Sequence, residues 1–265
     1  MDTRTCILEG VYGDGREEHR LTGSRSGQLE CLTTMACIDT YAPEPCRTLD
    51  LGAGTGAYSL TLAQEGYDVT ALERVDRNVE ILREKARGME NLIAVQGDAL
   101  DLSRFEDDTF DLTLCMGPLY HLYDRRDVDR ALDEAIRVTR PGGTILAAFL
   151  SVHAILYDNY LQPEPHTVRA GLEENFTADY RTRHFAEQVF TGYGVAEFEA
   201  LFTDRPVEHL ATVAADGILE LAEGRADFAL SDEDFRAFAA YHLHHCRERE
   251  LLGSSSHLLY VCRKR

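Results

Sequence analysis

From position 47 to about 150 the chain alternates strand-like and helix-like segments, and this alternation limits the fold more than any other feature. "RTLDLG" reads as a strand and "AYSLTLAQEG" as a helix closed by Gly66. "YDVTALE" is a second strand, followed by a helix in "DRNVEILREKARG" that Asp76 can cap and Gly88 can end. "NLIAVQGDA" and "FDLTLCMG" supply two more strands. The second of these is nearly all apolar, as suits a strand buried on both faces. "DRRDVDRALDEAIRVTRPGG" has apolar residues at Val128, Ala131, Leu132, Ala135, Ile136 and Val138, the period of an amphipathic helix, with Pro141 and two glycines to stop it. "GTILAAFL" is a fifth strand. Such alternation predicts an α/β fold with a doubly wound, mostly parallel sheet.

Within it, "RTLDLGAGTGAYSL" (47 to 60) places three glycines, Gly52, Gly54 and Gly56, between the first strand and its helix. Glycine lets the backbone take positive φ and lets a ligand come close, while the helix N-terminus offers unpaired N–H donors. With Ala57 the run also fits the G-x-G-x-x-A form of a dinucleotide fingerprint. Asp50 argues against that ligand, because a carboxylate beside the turn repels a pyrophosphate. It would attract a ligand bearing an ammonium and a sulfonium, and S-adenosylmethionine carries both. Glu73 ends the second strand, where an acidic side chain can accept both ribose hydroxyls. Asp98 ends the third in "QGDA", where a carboxylate can accept from the adenine amino group. The fourth strand ends in "CMGPLYHL", beside the crevice where open α/β sheets bind ligands.

The stretch from about 45 to 150 resembles the class I S-adenosylmethionine-dependent methyltransferases. "LDLGAGTG" is similar to their first motif, Glu73 to the acidic ribose ligand, "GDA" to the adenine motif, and "RVTRPGG" to the turn before their fifth strand. "GPLYHL" and the N-terminal "RLTGSRSGQLECLTT" are similar to a bacterial branch that acts on small molecules. The resemblance implies a seven-stranded, Rossmann-like sheet with its last strand antiparallel. It implies S-adenosylmethionine as cofactor, with S-adenosylhomocysteine as product. Asp50 and the turn of Gly52, Ala53, Gly54 and Gly56 would hold the methionine part, Glu73 the ribose, and Asp98 with Ala99 the adenine. Arg74 and Asn78 would flank the adenosine, and backbone at Met116 and Gly117 would line the methyl-transfer site. Two alternatives stay open: an NAD(P)-dependent oxidoreductase, and a non-catalytic module that senses S-adenosylmethionine or S-adenosylhomocysteine.

Transfer from a sulfonium is an in-line displacement that positioning and exclusion of water can suffice to drive. An oxygen nucleophile also needs a base, and His121, just past the fourth strand, is the candidate, with Tyr120 to orient the acceptor. "GPLY" has Gly117 where amino-group methyltransferases of nucleic acids have Asn or Asp, and Leu119 where they have proline. The net charge of −19 argues separately against a nucleic-acid partner or an anionic membrane surface. "YHLHHC" (241 to 246) puts His242, His245 and Cys246 at helical spacing, but a metal needs three or four convergent ligands and none is assigned.

The 265 residues divide into a helical lid over 1–46, the core over 47–150, a cap insertion over 151–192 with Pro163 and Pro165, and a return to the sheet over 193–265. There "GVAEFEALFTD" and "SDEDFRAFAAYHLHHCRERELL" read as helices, "VEHLATVAA" and "SHLLYVCRKR" as strands. Tyr12, Arg20, Arg25, His153, Tyr157, Tyr160, His166 and His184 are candidates for an acceptor pocket. Seven scattered cysteines without CxxC read as reduced thiols, and neither a secretory signal nor an apolar span is recognisable, so the chain is expected in the cytoplasm. No motif names the acceptor or the oligomeric state.

Overall fold

A computed structural model describes residues 3–13, 16–42, 44–161, 167–186 and 188–265. Its strands are β1 (Arg47–Leu51), β2 (Asp68–Glu73), β3 (Leu92–Gln96), β4 (Phe110–Cys115), β5 (Thr139–Ser151), β6 (Gly192–Tyr193), β7 (Val207–Ala214) and β8 (His257–Lys264). The helices are α1 (Thr3–Tyr12), α2 (Arg25–Tyr41), α3 (Ala57–Gln64), α4 (Asp76–Lys85), α5 (Arg125–Val138), α6 (Val152–Tyr160), α7 (Val168–Asn175), α8 (Val195–Ala200), α9 (Leu219–Glu223), α10 (Asp232–His245) and α11 (Arg249–Leu252).

The sheet runs β3-β2-β1-β4-β5-β8-β7, with β8 antiparallel to both neighbours. Seven strands lie on this path, as the resemblance implied; the eighth, two-residue β6, pairs beside the end of β5. Apolar side chains cover both faces, which makes the sheet doubly wound. On one face Leu49, Leu51 and Phe149 pack under Val128, Leu132 and Ala135 of α5 and Phe198 of α8. On the other, Val69, Leu112 and Leu146 pack under Ile38 of α2, Leu62 of α3 and Leu82 of α4.

Local chemistry starts the helices where the pattern expects them. Asp124 caps α5 by accepting from the Arg126 N–H, and Ser24 caps α2 by accepting from the Gly27 N–H. Ser231 caps α10 in the same way. Two boundaries differ from the sequence reading. β5 begins at Thr139, ahead of Pro141 and the glycines, and a shift in its pairing with β4 between Phe110 and Leu112 absorbs the irregular residues. The last long helix is broken after His245, where the Cys246 carbonyl accepts from the Ala214 N–H at 2.8 Å instead of continuing the helix.

Candidate active site

The order of strands reverses between β1 and β4, and the crevice at their carboxyl ends opens into a cavity of about 300 Å³. One end is built from the core stretch. Gly52, Gly54 and Gly56 have φ of 76°, 57° and 93°, all in the region that favours glycine. A Cβ on Gly52 would lie 2.8 Å from Cδ of Pro118, and one on Gly54 would lie 3.1 Å from Cγ of Glu17. The turn is thus as close to its neighbours as backbone alone permits.

Glu73 is 7% exposed and ties the turn to β2. Its Oε2 accepts from the Gly54 N–H at 2.9 Å and its Oε1 from the Val75 N–H at 2.7 Å. Burial raises its pKa, while those N–H groups pull it back down. Each oxygen retains a lone pair for a further donor. Asp98 is held by the Arg74 guanidinium and, at 3.3 Å, by Arg4 of α1, and accepts from the Leu100 N–H at 3.0 Å. Asn78 is 2% exposed, lines the cavity, and its Oδ1 has no hydrogen bond among the described residues. The cradle that would not admit a Cβ and this unpaired carbonyl oxygen both fit a nucleoside-bearing ligand.

Of the residues assigned from sequence, Gly52, Gly54, Glu73, Arg74, Asn78, Asp98, Ala99, Met116, Gly117, Tyr120 and His121 line this one cavity. Asp50, Ala53 and Gly56 are not on its wall. Asp50 lies 1% exposed behind the turn, where its Oδ2 accepts from Ser59 Oγ at 2.6 Å and its Oδ1 has no hydrogen-bond partner among the described residues. Burial pushes its pKa up to about 6. Its charge reaches the cavity through the turn rather than by contact. Gly56 starts α3, with Leu82 filling the space beside it.

His121 has both ring nitrogens engaged. Its Nδ1–H donates to the Val189 carbonyl at 2.8 Å, so its Nε2 accepts from the Tyr12 hydroxyl at 2.8 Å. Burial lowers its pKa to about 4. A neutral imidazole with no spare lone pair straps α1 and the insertion onto the β4 loop. The Tyr120 hydroxyl donates to the Met116 carbonyl at 3.0 Å, and burial raises its pKa.

The far end of the cavity comes from the two flanks. Arg20 grips Glu30 through two bonds of 2.7 and 3.0 Å and Glu17 through a third of 3.0 Å. His257, at the start of β8, sits with its Nδ1 2.8 Å from Asp216, 3.8 Å from Glu30 and 3.9 Å from Glu220. Burial would lower its pKa, but Glu30 and Asp216 outweigh burial and hold it at about 9. Tyr12 and Arg20 are the pocket candidates that reach this cavity. Arg25 pairs instead with Asp232, His153 stacks on Phe176, Tyr160 donates to Glu174, His184 bonds the Gly192 carbonyl, and Tyr157 is exposed. His166, Pro163 and Pro165 lie outside the described residues. His242 bonds the Ala214 carbonyl and His245 bonds Glu248, so the "YHLHHC" histidines do not converge. From the insertion, Phe190 is the lining residue among those described.

The sequence reading missed Arg4, Glu30, Asp216, Glu220 and His257. A signal existed for two of them. Asp216 follows β7 as Glu73 and Asp98 close on their strands. His257 opens β8, and an antiparallel strand begins at the edge where its parallel neighbours end.

A parallel sheet with a glycine turn and successive acidic strand ends at its switch point defines a nucleoside-binding, Rossmann-like protein. Residues 49–147 match a methyltransferase-domain family. A demethylmenaquinone methyltransferase of Beutenbergia cavernae is 34% identical over 170 residues, 61% of this chain and 68% of that protein. One from Clavibacter sepedonicus is 35% identical over 51% of this chain and 55% of its own length. A solved S-adenosylmethionine-dependent methyltransferase of Thermotoga maritima, described as a possible histamine N-methyltransferase, superposes with a TM-score of 0.58 at 17% identity, covering 99% of this chain and 100% of that one. The chain belongs to the class I S-adenosylmethionine-dependent methyltransferase family. It spans about half the length of several of the curated relatives it matches.

Proposed function

We propose that the protein transfers a methyl group from S-adenosylmethionine to a small polar acceptor. The observation that carries this reading is one continuous cavity, running from Glu73 and Asp98 past Met116 and Tyr120 to Arg20, Glu30 and His257. S-adenosylmethionine, when bound, supplies a methyl already activated on a sulfonium. Glu73 would accept the ribose hydroxyls and Asp98 with Ala99 the adenine edge. Asn78 Oδ1 offers a further acceptor to the nucleoside, and Arg4 and Arg74 keep the Asp98 carboxylate in place. The Gly52–Gly54 backbone and the Asp50 charge behind it suit the cationic methionine part.

Tyr120 is the side chain we assign to acceptor orientation at the transfer site. Both nitrogens of His121 are engaged, which supports a positioning role: it holds Tyr12 and the insertion so that water is kept from the sulfonium. We therefore read His121 as a strap rather than as a base. The charged far end supports a polar acceptor, and its modest volume a small one. Among the described residues no helix is long and apolar enough to cross a membrane, and all seven cysteines are free, which supports a reducing compartment such as the cytoplasm.

Calorimetric titration with S-adenosylmethionine tests the reading, with Glu73→Ala beside the wild type. Binding that is lost in the variant supports it and justifies measuring S-adenosylhomocysteine release over polar acceptors. A folded wild type that does not bind refutes it.

A further inference from the structure

The far end of the cavity holds charged groups from three separate parts of the chain that the donor reading does not use. Glu30 comes from α2, Asp216 and Glu220 from the segment after β7, and His257 from the start of β8. Two of the acids are buried. Asp216 is 1% exposed and Glu30 8%, and all four residues line the cavity. One ligand atom each of Asp216, Glu220 and His257 lies within 4.8 Å of the other two. His257 Nδ1 is 2.8 Å from Asp216 Oδ2, 3.8 Å from Glu30 Oε2 and 3.9 Å from Glu220 Oε2.

We propose that Asp216, Glu220 and His257 form a divalent-metal site facing the acceptor end of the cavity, with Glu30, whose two oxygens Arg20 holds, as a neighbouring negative charge. Ligand atoms bound about 2.1 Å from an octahedral ion stand roughly 3 Å apart when adjacent and about 4 Å when opposed, the range these distances span. A mixed nitrogen and carboxylate set suits an ion such as Mn²⁺ better than Ca²⁺. Asp216 is already oriented from behind. Asp216 Oδ1 accepts from Ser255 Oγ at 2.6 Å and from the Ser256 N–H at 3.0 Å, which leaves Oδ2 turned to His257. Among the described residues Arg20 is the nearby cation, and it is paired with Glu30 and Glu17. Ligation requires His257 Nδ1 to release its proton to solvent. On the methyl-transfer reading, on which the role but not the site rests, an ion there would polarise an acceptor hydroxyl or carboxylate beside Tyr120.

The test is titration of the 265-residue chain with MnCl₂, followed by electron paramagnetic resonance and calorimetry. One site per chain is expected. Affinity should fall about tenfold in Glu220→Gln, and by about a hundredfold in Asp216→Asn and His257→Gln. Glu220 is 41% exposed on its side chain, so its variant should fold even if Asp216→Asn does not. S-adenosylmethionine binding is measured on each variant as an independent readout. Donor binding without any Mn²⁺ site in the wild type overturns the metal site and leaves the donor reading standing. A Mn²⁺ site that survives Glu220→Gln and His257→Gln unchanged in folded protein overturns it too. Mn²⁺ binding in a protein that ignores the donor would keep the site and sink the methyl-transfer reading.

Discussion

The two ends of the cavity are built in different ways. The end we assign to the donor comes mainly from one stretch, Gly52 to His121, with Arg4 added from α1, and many of its polar contacts run to backbone: Glu73 to Gly54 and Val75, Asp98 to Leu100, Tyr120 to Met116. The acceptor end joins Arg20 and Glu30 to Asp216 and His257, groups about 190 to 240 residues apart, through side-chain ion pairs. Backbone contacts between near neighbours survive sequence change at most positions. Ion pairs between distant side chains depend on each residue and on the whole sheet being in register. The difference teaches that one end of such a cavity is suited to an invariant ligand and the other to a variable one.

The comparison breaks first at Glu73. Glu73→Ala removes two charge-assisted backbone bonds and the ribose acceptor, and donor affinity should fall by about a hundredfold in calorimetry. A loss below about threefold would mean the donor end is not organised around this carboxylate.

Protonation of His121 has an effect of comparable size, read on stability rather than on binding. Its pKa of about 4 in the fold lies below the ordinary 6.5, so the folded protein resists the proton. The stability it contributes is complete above pH 6.5 and is lost as pH falls towards 4, by about 3 kcal/mol in all. Denaturant unfolding at stepped pH checks this, and His121→Phe should flatten the slope in that window.

Asp50 sharpens the electrostatic side of the comparison. Its pKa of about 6 is raised above the ordinary 3.8. The ionised form is therefore the costly one in the fold, and stability from this group falls as pH rises from 3.8 through 6. Asp50→Asn should melt higher than the wild type at pH 7.5 while binding the cationic donor about fivefold more weakly, and the binding difference should vanish below pH 5. Equal donor affinity at both pH values would show that the turn screens the carboxylate completely.

The smallest effect expected is at the strap. Tyr12→Phe deletes the hydroxyl that donates to His121, and about 1 kcal/mol of stability should go with it. Hydrogen exchange should report the loss in α1 rather than in β1 or β2.

Much of the core was legible because its signals are local. The glycine turn, the acidic ends of β2 and β3 and the amphipathic period of α5 each follow from residues within one or two turns of each other. The exceptions have particular causes. Asp50 reads as a contact residue because strand ends face the crevice, yet its side chain falls on the face covered by α3, where Ser59 receives it. His121 reads as a base because an imidazole beside a reaction site is suited to one. Only the tertiary structure shows Tyr12 and Val189 engaging both of its nitrogens, the contacts on which we propose a strap instead. The helix ending at His245 reads as continuous to Leu252 because nothing in its own sequence tells that Ala214 will take the Cys246 carbonyl.

By itself, then, the sequence determined the doubly wound sheet, the glycine turn and the family. Backbone conformation at glycines and periodic burial act over a few residues and leave a readable pattern. The tertiary structure alone decided which charges meet at the acceptor end. The antiparallel pairing of β8 with β5 and β7 carries His257 to the edge where Asp216 and Glu30 also lie. Pairing between strands so far apart in the chain is set by the register of the whole sheet, which no short window of residues encodes.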